Sequence, residues 1–512
     1  MKKTLLPFIS TLLLAACTQN TKTETAASAE TGKAGATYKY TTDIPAAITM
    51  PDKVETRLGT LTFKDGFPDD STIQKVYDNL DFQRGVDALL TAMPAASLVA
   101  QRTALRKFGP DNQTVIIFEN LMDSRSLFLT ANTESIYAIA WLNLKDGPVV
   151  VESPANTLGL VDDFWFHYVT DAGLAGPDKG KGGKFLFLPP GYKGTIPKGY
   201  YVFKSNTYNN LFGTRGFQVN GDPKPGVDNI EQHLRIYPLA QAANPPKTTF
   251  INTSGKSFNT IHSMDYSFYE EVNQVVQEEP NEAMDPETLG LLASIGIEKG
   301  KTFAPDERMK KILTEAAIVG NATARANAYR SRLTESYFYP NSAWGTCFVG
   351  GSYLFEKDGV RLLDARSYMF FYATGITPAM AIQKVGAGSA YAAAFVDADK
   401  KPFDGSKTYQ LHLPPNIPAR QFWSLVLYDN QTRSMLQTDQ QFPSISSQKK
   451  GVVINSDKSV DIYFAPKAPA GKESNWVQTG SGKGWNVILR LYGPMQSWFD
   501  KTWKPGEIEE VK

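Results

Sequence analysis

The sequence has few of the side chains that disulfide scaffolds and zinc proteins need. Its 512 residues include two cysteines, Cys17 and Cys347, and four histidines. These counts exclude a disulfide-rich framework and a zinc fold dense in cysteine and histidine. The histidines lie far apart, and neither an HExxH motif nor a paired-histidine spacing occurs. We therefore expect no metal and no cofactor.

An excess of charge of either sign is also lacking. The chain has 53 basic and 52 acidic residues, a formal net charge of +1. This balance excludes a broad cationic field, so nucleic acid is not expected as a partner. No segment approaches the 18 or more consecutive apolar residues of a membrane-spanning helix. Glycine (40), proline (31) and aromatic residues (12%) are plentiful, which favours turn-rich β architecture.

The N-terminus has the pattern of a bacterial lipoprotein signal. Met1-Lys2-Lys3 is basic, a short apolar stretch follows, and Leu14-Ala15-Ala16-Cys17 resembles a lipobox. We predict a signal peptide over 1–16 and acylation of Cys17, with palmitate among the attached acyl groups. The alternative is an ordinary secretory signal with a chance cysteine. Cleavage would remove Lys2 and Lys3 and change the net charge to −1.

The predicted lipid anchor indicates where in the cell the protein lies. Residues 17–45 are mostly small and polar and predict a flexible tether. We expect a cell-envelope protein, anchored to the membrane by lipid, in the outer membrane and facing the periplasm or the surface.

The chain contains two copies of one β pattern, which suggests duplication. The first copy has Tyr-Ala-x-Ala-aromatic, Pro-x-Asn, Phe-Trp and Asp at 137–141, 154–156, 164–165 and 171. The second copy has them in the same order at 391–395, 414–416, 422–423 and 429. Further strands are predicted at 184–188, 460–464 and 486–492. Many strands and no strand–helix alternation favour antiparallel sandwiches or jelly rolls.

Helices are predicted before and between the two copies. Residues 72–107 predict a helical lead-in, and Asp285-Pro286 and Asp306 are typical helix starts. We predict an N-terminal jelly-roll-like domain at 46–262, a helical connector at 263–335 and a C-terminal jelly-roll-like domain at 336–512. The fold class is mainly β with helical segments.

Three long segments make the chain resemble a known bacterial family. They are TRLGTLTFKDGFPDDSTIQKVYDNLDFQRGVDALL, LGLLASIGIEKGKTFAPD and NWVQTGSGKGWNVILRLYGP, at 56–90, 289–306 and 475–494. The family has two domains of unknown function, DUF1254 followed by DUF1214. The resemblance spans about 50–512 and implies two jelly-roll-like domains, broadly similar to the double jelly-roll capsid proteins of large DNA viruses. It implies no established activity.

Carboxylates and aromatic residues of the first copy are the candidate site. Glu134 and Asp163 lie on linked segments and could converge as a catalytic pair, since paired carboxylates suit glycoside cleavage. Candidate ligand-binding residues beside them are Asn132, Tyr137, Trp141, Trp165 and His167. The second copy has Gly388-Ser389 in place of Glu134-Ser135 and Arg420-Gln421 in place of Asp162-Asp163, so the site would belong to one copy. Unselected loop variation would look the same.

These observations predict an envelope lipoprotein with tandem β sandwiches and a ligand-binding or assembly role. Its partners would be the membrane, through the lipid, a small molecule or glycan, and further copies of itself. The alternative is an envelope hydrolase that uses Glu134 and Asp163 on a glycan-like substrate.

Overall fold

The computed structural model describes residues 39–382 and 384–512. The predicted signal peptide, Cys17 and most of the tether lie outside the described residues. Contacts divide the chain at Ile73: the described residues before it form a small unit, and Gln74–Lys512 forms a large one. In the small unit, three short strands make an antiparallel sheet: β1 (Lys53–Thr56), β2 (Gly59–Lys64) and β3 (Phe67–Pro68).

The large unit contains two sets of eight strands. Two short strands precede the first set: β4 (Thr114–Ile117) and β5 (Ser126–Leu127). The first set, here called the first β unit, comprises β6 (Ser135–Asn143), β7 (Val149–Ser153), β8 (Leu158–Asp163), β9 (Tyr168–Gly173), β10 (Gly183–Leu188), β11 (Tyr201–Lys204), β12 (Asn209–Phe217) and β13 (Arg235–Pro238). Four short strands follow: β14 (Thr249–Asn252), β15 (Phe258–Asn259), β16 (Glu356–Lys357) and β17 (Val360–Arg361). The second β unit comprises β18 (Ser389–Ala394), β19 (Tyr409–Leu413), β20 (Ala419–Asp429), β21 (Ser444–Ser446), β22 (Val460–Ala465), β23 (Trp476–Gln478), β24 (Trp485–Pro494) and β25 (Ile508–Glu510).

The two β units share one topology, strand for strand. Each has a central sheet, ordered β6-β12-β8-β9 in the first unit and β18-β24-β20-β21 in the second. Each also has an outer sheet, ordered β11-β10-β7-β13 and β23-β22-β19-β25, in which the first pair is parallel and the others are antiparallel. Strands β14 and β4 extend the first central sheet at its β6 edge. The predicted fold class, with two jelly-roll-like β sandwiches, is confirmed.

One repeat found in the sequence is not equivalent in the structure. Arg215 of β12 pairs with Leu158, whereas Arg490 of β24 pairs with Ser424. Ser424 therefore corresponds to Leu158. Phe422-Trp423 lies inside a single strand, but Phe164-Trp165 lies in the turn between β8 and β9, so the two Phe-Trp pairs match in letters only.

Each central sheet faces two different cores because successive side chains of a strand point to opposite faces. In β12, Phe212 belongs to the core of the first sandwich, whereas Leu211 belongs to a core shared by both units. In β24, Leu489 belongs to the core of the second sandwich and Ile488 belongs to the shared core. The shared core joins the two β units through their central sheets.

Helices complete the shared core. The eight helices in the described residues are α1 (Asp70–Leu105), α2 (Lys224–His233), α3 (Ser267–Glu278), α4 (Pro286–Ser294), α5 (Glu307–Tyr329), α6 (Leu363–Tyr372), α7 (Pro378–Ala381) and α8 (Gln496–Phe499). The predicted starts are confirmed: the side chains of Asp285 and Asp306 accept hydrogen bonds from the first turns of α4 and α5. Helix α6, whose buried face includes Met369 and Phe370, was not predicted. None of the helices in the described part of the chain is long and apolar enough to cross a membrane.

Candidate functional site

A central cavity lies between the two β units and extends to exposed residues such as Lys384 and Arg420. It has an inner space of about 130 Å³ and an outer space of about 610 Å³. Both spaces are lined by Leu158, Leu160, Arg215, Met380 and Tyr391. Because the inner space is mostly apolar and the outer one is of the size that holds small organic molecules, the two together suit a ligand with an apolar body.

The duplicated topology places an arginine–tyrosine pair from each unit at this cavity. Arg215 pairs with Tyr137 across β12 and β6, and Arg490 pairs with Tyr391 across β24 and β18. These positions are equivalent in the two units. The pairs also meet across the interface, since the guanidinium of Arg215 interacts with the hydroxyl of Tyr391.

Several donors at the cavity have no partner. Neither Arg215 nor Arg490 forms an ion pair with any described residue. Arg490 is 3% exposed; its Nη2 donates to the carbonyl of Thr130 at 2.7 Å, and its guanidinium also interacts with the Tyr428 hydroxyl. Its Nη1, the Tyr492 hydroxyl and the Thr214 hydroxyl are buried without a hydrogen-bond partner in the described structure. A buried unsatisfied polar group costs about 1–3 kcal/mol, more if charged, so such a cluster calls for a ligand that supplies acceptors.

Burial raises the pKa of two acidic groups at the cavity. Burial raises the pKa of Glu134, against hydrogen bonds from Thr133 and Ser446 and the charge of Arg490. Burial likewise raises the pKa of Asp171 to about 6. The exposed cations Lys384 and Arg420 line the outer space together with Arg215. The described lining thus has four cations, Arg215, Arg490, Lys384 and Arg420, against two acidic groups, a charge balance that favours an anion.

Three of the residues predicted from the sequence lie at this cavity. Glu134 lines its outer space, and Asn132 and Tyr137 line its inner space. The amide of Asn132 donates to the Tyr137 hydroxyl at 2.8 Å, and its carbonyl oxygen accepts from the Ser135 hydroxyl at 2.8 Å. Asn132 thus fixes Tyr137 and the turn that carries Glu134.

The expected convergence of Glu134 and Asp163 is wrong. Next to Glu134, Ser135 pairs with Phe217 at one end of β12, whereas Asp163 pairs with Asn210, seven residues further along. At about 3.4 Å per residue, the two carboxylates lie at opposite ends of the sheet, about 24 Å apart. Retaining and inverting glycosidases need carboxyl groups about 5–10 Å apart, so this pair cannot act as one.

The remaining candidate residues lie away from the central cavity. Trp141 is buried in the shared core, where its indole N–H donates to Asn209 Oδ1 at 2.9 Å, and we assign it to packing. Asp163, Trp165 and His167 surround the turn between β8 and β9. There the Asp163 carboxylate accepts from the backbone N–H groups of Trp165 and His167 and contacts His167 Nδ1 at 3.1 Å.

Sequence reasoning missed the two arginines. A signal for them existed: each is the only charged residue of its strand, at TRG (214–216) and LRL (489–491). Such a charge is rarely buried unless it is paired. The role of each arginine depends on the contact between the two β units, which the periodicity of the sequence does not reveal.

The cavity contains one thiol and no recognisable metal site. Cys347 lines the inner space, and burial raises its pKa to about 12, so the thiol is inert as a nucleophile. No group of three or more metal-ligating side chains occurs within residues 39–382 and 384–512.

The fold and cavity define a tandem β-sandwich protein with a ligand-sized cavity between its repeats, and comparison with known proteins gives its family. Residues 112–238 match the protein family of unknown function DUF1254, and residues 388–496 match the protein family of unknown function DUF1214. The chain belongs to the two-domain family that combines them, in this order. The first matched segment covers β4 to β13, and the second covers β18 to β24.

One solved structure supports the fold. The VPA0106 protein from Vibrio parahaemolyticus is 19% identical, with a TM-score of 0.52, over 84% of this chain and 100% of its own. A protein from Burkholderia cenocepacia is 12% identical, with a TM-score of 0.35, over 86% of this chain and 97% of its own. No curated protein matches the chain.

Proposed function

We propose that the central cavity binds a small organic anion with an apolar body. The observation that carries this proposal is the pair of arginines without ion-pair partners, Arg215 and Arg490, brought together by the duplicated fold. The apolar inner space would hold the body of the ligand. Its anionic group would accept hydrogen bonds from guanidinium groups and from the unpartnered hydroxyls beside them.

The second part of the proposal concerns location. The lipobox-like sequence before Cys17 supports attachment by lipid to the membrane of the cell envelope. Binding in the central cavity would then take place at the membrane surface. The anchored hydrolase with Glu134 and Asp163 is not proposed, because these carboxylates lie too far apart.

Two fluorescent probes with one ring system test the anion preference. One is 8-anilinonaphthalene-1-sulfonate, and the other is its uncharged counterpart, N-phenyl-1-naphthylamine. We expect the sulfonate to bind at least about 10-fold more tightly, since a charge-assisted hydrogen bond contributes about 1.5–3 kcal/mol.

Variants place this preference at the cavity. Arg215→Met should abolish it and leave the binding of the neutral probe nearly unchanged. Arg332→Met is the matched control, because Arg332 is exposed and paired with Asp364 away from the cavity. Equal affinities for the two probes, or a preference that persists in Arg215→Met, would contradict the proposal.

A further inference from the structure

A second cavity, separate from the central one, surrounds the turn between β8 and β9. It has a volume of about 230 Å³, close to that of one sugar ring. Its lining includes Trp165, His167, Tyr168, Tyr353, Asp285 and Arg366. This space, here called the His167 cavity, shares no lining residue with the central cavity.

The imidazole of His167 is held in a defined orientation. Its Nδ1 lies 3.1 Å from Oδ2 of Asp163, which is 1% exposed, while the His167 side chain is 44% exposed. With Nδ1 bound to the carboxylate, Nε2 is the nitrogen left to face a ligand. In the neutral ring this Nε2 is an acceptor, which suits a hydroxyl group.

The turn that holds this pair is strained. Phe166, between Trp165 and His167, has a φ of 57°, in the left-handed region that a bulky aromatic residue seldom adopts. Such a conformation costs about 1–3 kcal/mol and persists where surrounding contacts impose it, often at binding sites. Here the Phe166 ring stacks on Phe370 of α6, with centroids 5.4 Å apart.

The donors of the His167 cavity suit a carboxylate. Arg366 donates one hydrogen bond, to the carbonyl of Thr91 at 2.8 Å, and forms no ion pair in the described part of the chain. Burial lowers its pKa to about 10, so the guanidinium stays charged at neutral pH. Trp165 is 3% exposed, and its indole N–H is buried without a partner among the described residues.

The other charges at the cavity are already engaged. Arg361 is paired with Glu356 at 2.9 Å, and Asp285 accepts from the backbone and the hydroxyl of Thr288 at the start of α4. Arg366 is therefore the cation with free hydrogen-bonding capacity. Aromatic walls complete the site, since the rings of Tyr168 and Tyr353 meet edge to face at 5.6 Å and offer faces for a sugar ring.

We infer that the His167 cavity binds a sugar acid, a single pyranose ring that carries a carboxylate. The carboxylate would pair with Arg366 and the Trp165 indole N–H. A ring hydroxyl would donate to His167 Nε2, and the ring itself would lie against the tyrosines. Such a group occurs both as a free sugar acid and at the end of a glycan chain.

Titration calorimetry with D-glucuronate and D-glucose tests this inference on the full-length protein. We expect glucuronate to bind at least about 10-fold more tightly than glucose, since the two differ in the carboxylate that Arg366 would hold. Arg366→Met should abolish that preference, and His167→Ala should weaken both sugars. Methyl β-D-glucuronide then separates the sources: retained binding indicates a chain end, and lost binding indicates the free sugar acid.

A control variant keeps this test independent of the central cavity. Arg215→Met should leave glucuronate affinity unchanged, although it removes the sulfonate preference there. Equal or absent binding of the two sugars, or binding unchanged in His167→Ala, would overturn the inference. His167 is half-exposed, so His167→Ala should fold. It therefore tests the inference even if Arg366→Met does not fold.

Discussion

Replacement of Arg490 by methionine separates a functional cation from a structural one. An ion-paired buried arginine is needed for stability, and breaking such a pair costs about 3–5 kcal/mol. Arg490 has no such pair in the described structure. Arg490→Met loses the charge-assisted hydrogen bond to the Thr130 carbonyl, worth about 1.5–3 kcal/mol. It also loses two contacts with tyrosine rings at 5.9 and 5.6 Å, worth about 0.5–1 kcal/mol each.

These losses are offset because the variant no longer buries a guanidinium, whose desolvation costs several kcal/mol. We therefore expect the free energy of unfolding to change by less than about 2 kcal/mol, while the affinity for the anionic probe falls about 10- to 150-fold. Urea denaturation and probe titration measure the two effects. A loss of stability above about 3 kcal/mol with unchanged probe affinity would refute the reasoning, because Arg490 would then serve the fold.

Three further predictions concern other parts of the chain. Burial raises the pKa of Glu271 from 4.5 to about 7, so the folded protein should lose up to about 3 kcal/mol of stability as the pH rises from 4.5 through 7. Glu271→Gln should abolish this loss, which urea denaturation at pH 5 and pH 8 measures. An equal pH dependence of stability in both proteins would contradict the prediction. Cys17→Ser should abolish palmitate labelling and membrane fractionation, whereas Cys347→Ser, at a buried thiol, should retain both; a membrane-bound Cys17→Ser protein would exclude the anchor. Gly173→Ala should destabilise the fold by more than about 2 kcal/mol, because φ is +74° and the added Cβ would lie 2.0 Å from a backbone oxygen. Gly191→Ala, at φ +69° with open space around it, should cost about 1 kcal/mol. Equal shifts of the melting temperature in the two variants would contradict this difference.

Much of the fold follows from local sequence patterns. The strands predicted at 184–188, 460–464 and 486–492 correspond to β10, β22 and β24, and a capping aspartate before each helix predicted α4 and α5. The repeated Tyr-Ala-x-Ala motif located β6 and β18, which are equivalent in the structure. Helix α6 escaped prediction because it is buried nearly all round, so its residues show no polar face and no helical period.

The candidate site was less predictable because it depends on long-range pairing. Glu134 and Asp163 are close in sequence, but Glu134 precedes β6 and Asp163 ends β8, so they lie near opposite ends of β12, which separates these two strands. The Phe-Trp pairs matched in letters, yet a turn in one unit and a strand in the other give them different environments. Arg215 and Arg490 lie at equivalent positions in the two units, a relation that strand pairing reveals.

The position of a bound anion shows directly whether the two arginines of the central cavity hold the ligand. A crystal structure of the protein with 4-iodobenzoate would locate the ring through the anomalous signal of iodine. We expect the iodobenzene ring in the inner space and the carboxylate within hydrogen-bonding distance of Arg215 or Arg490. An empty central cavity at saturating ligand, or a carboxylate directed away from both arginines, would contradict it.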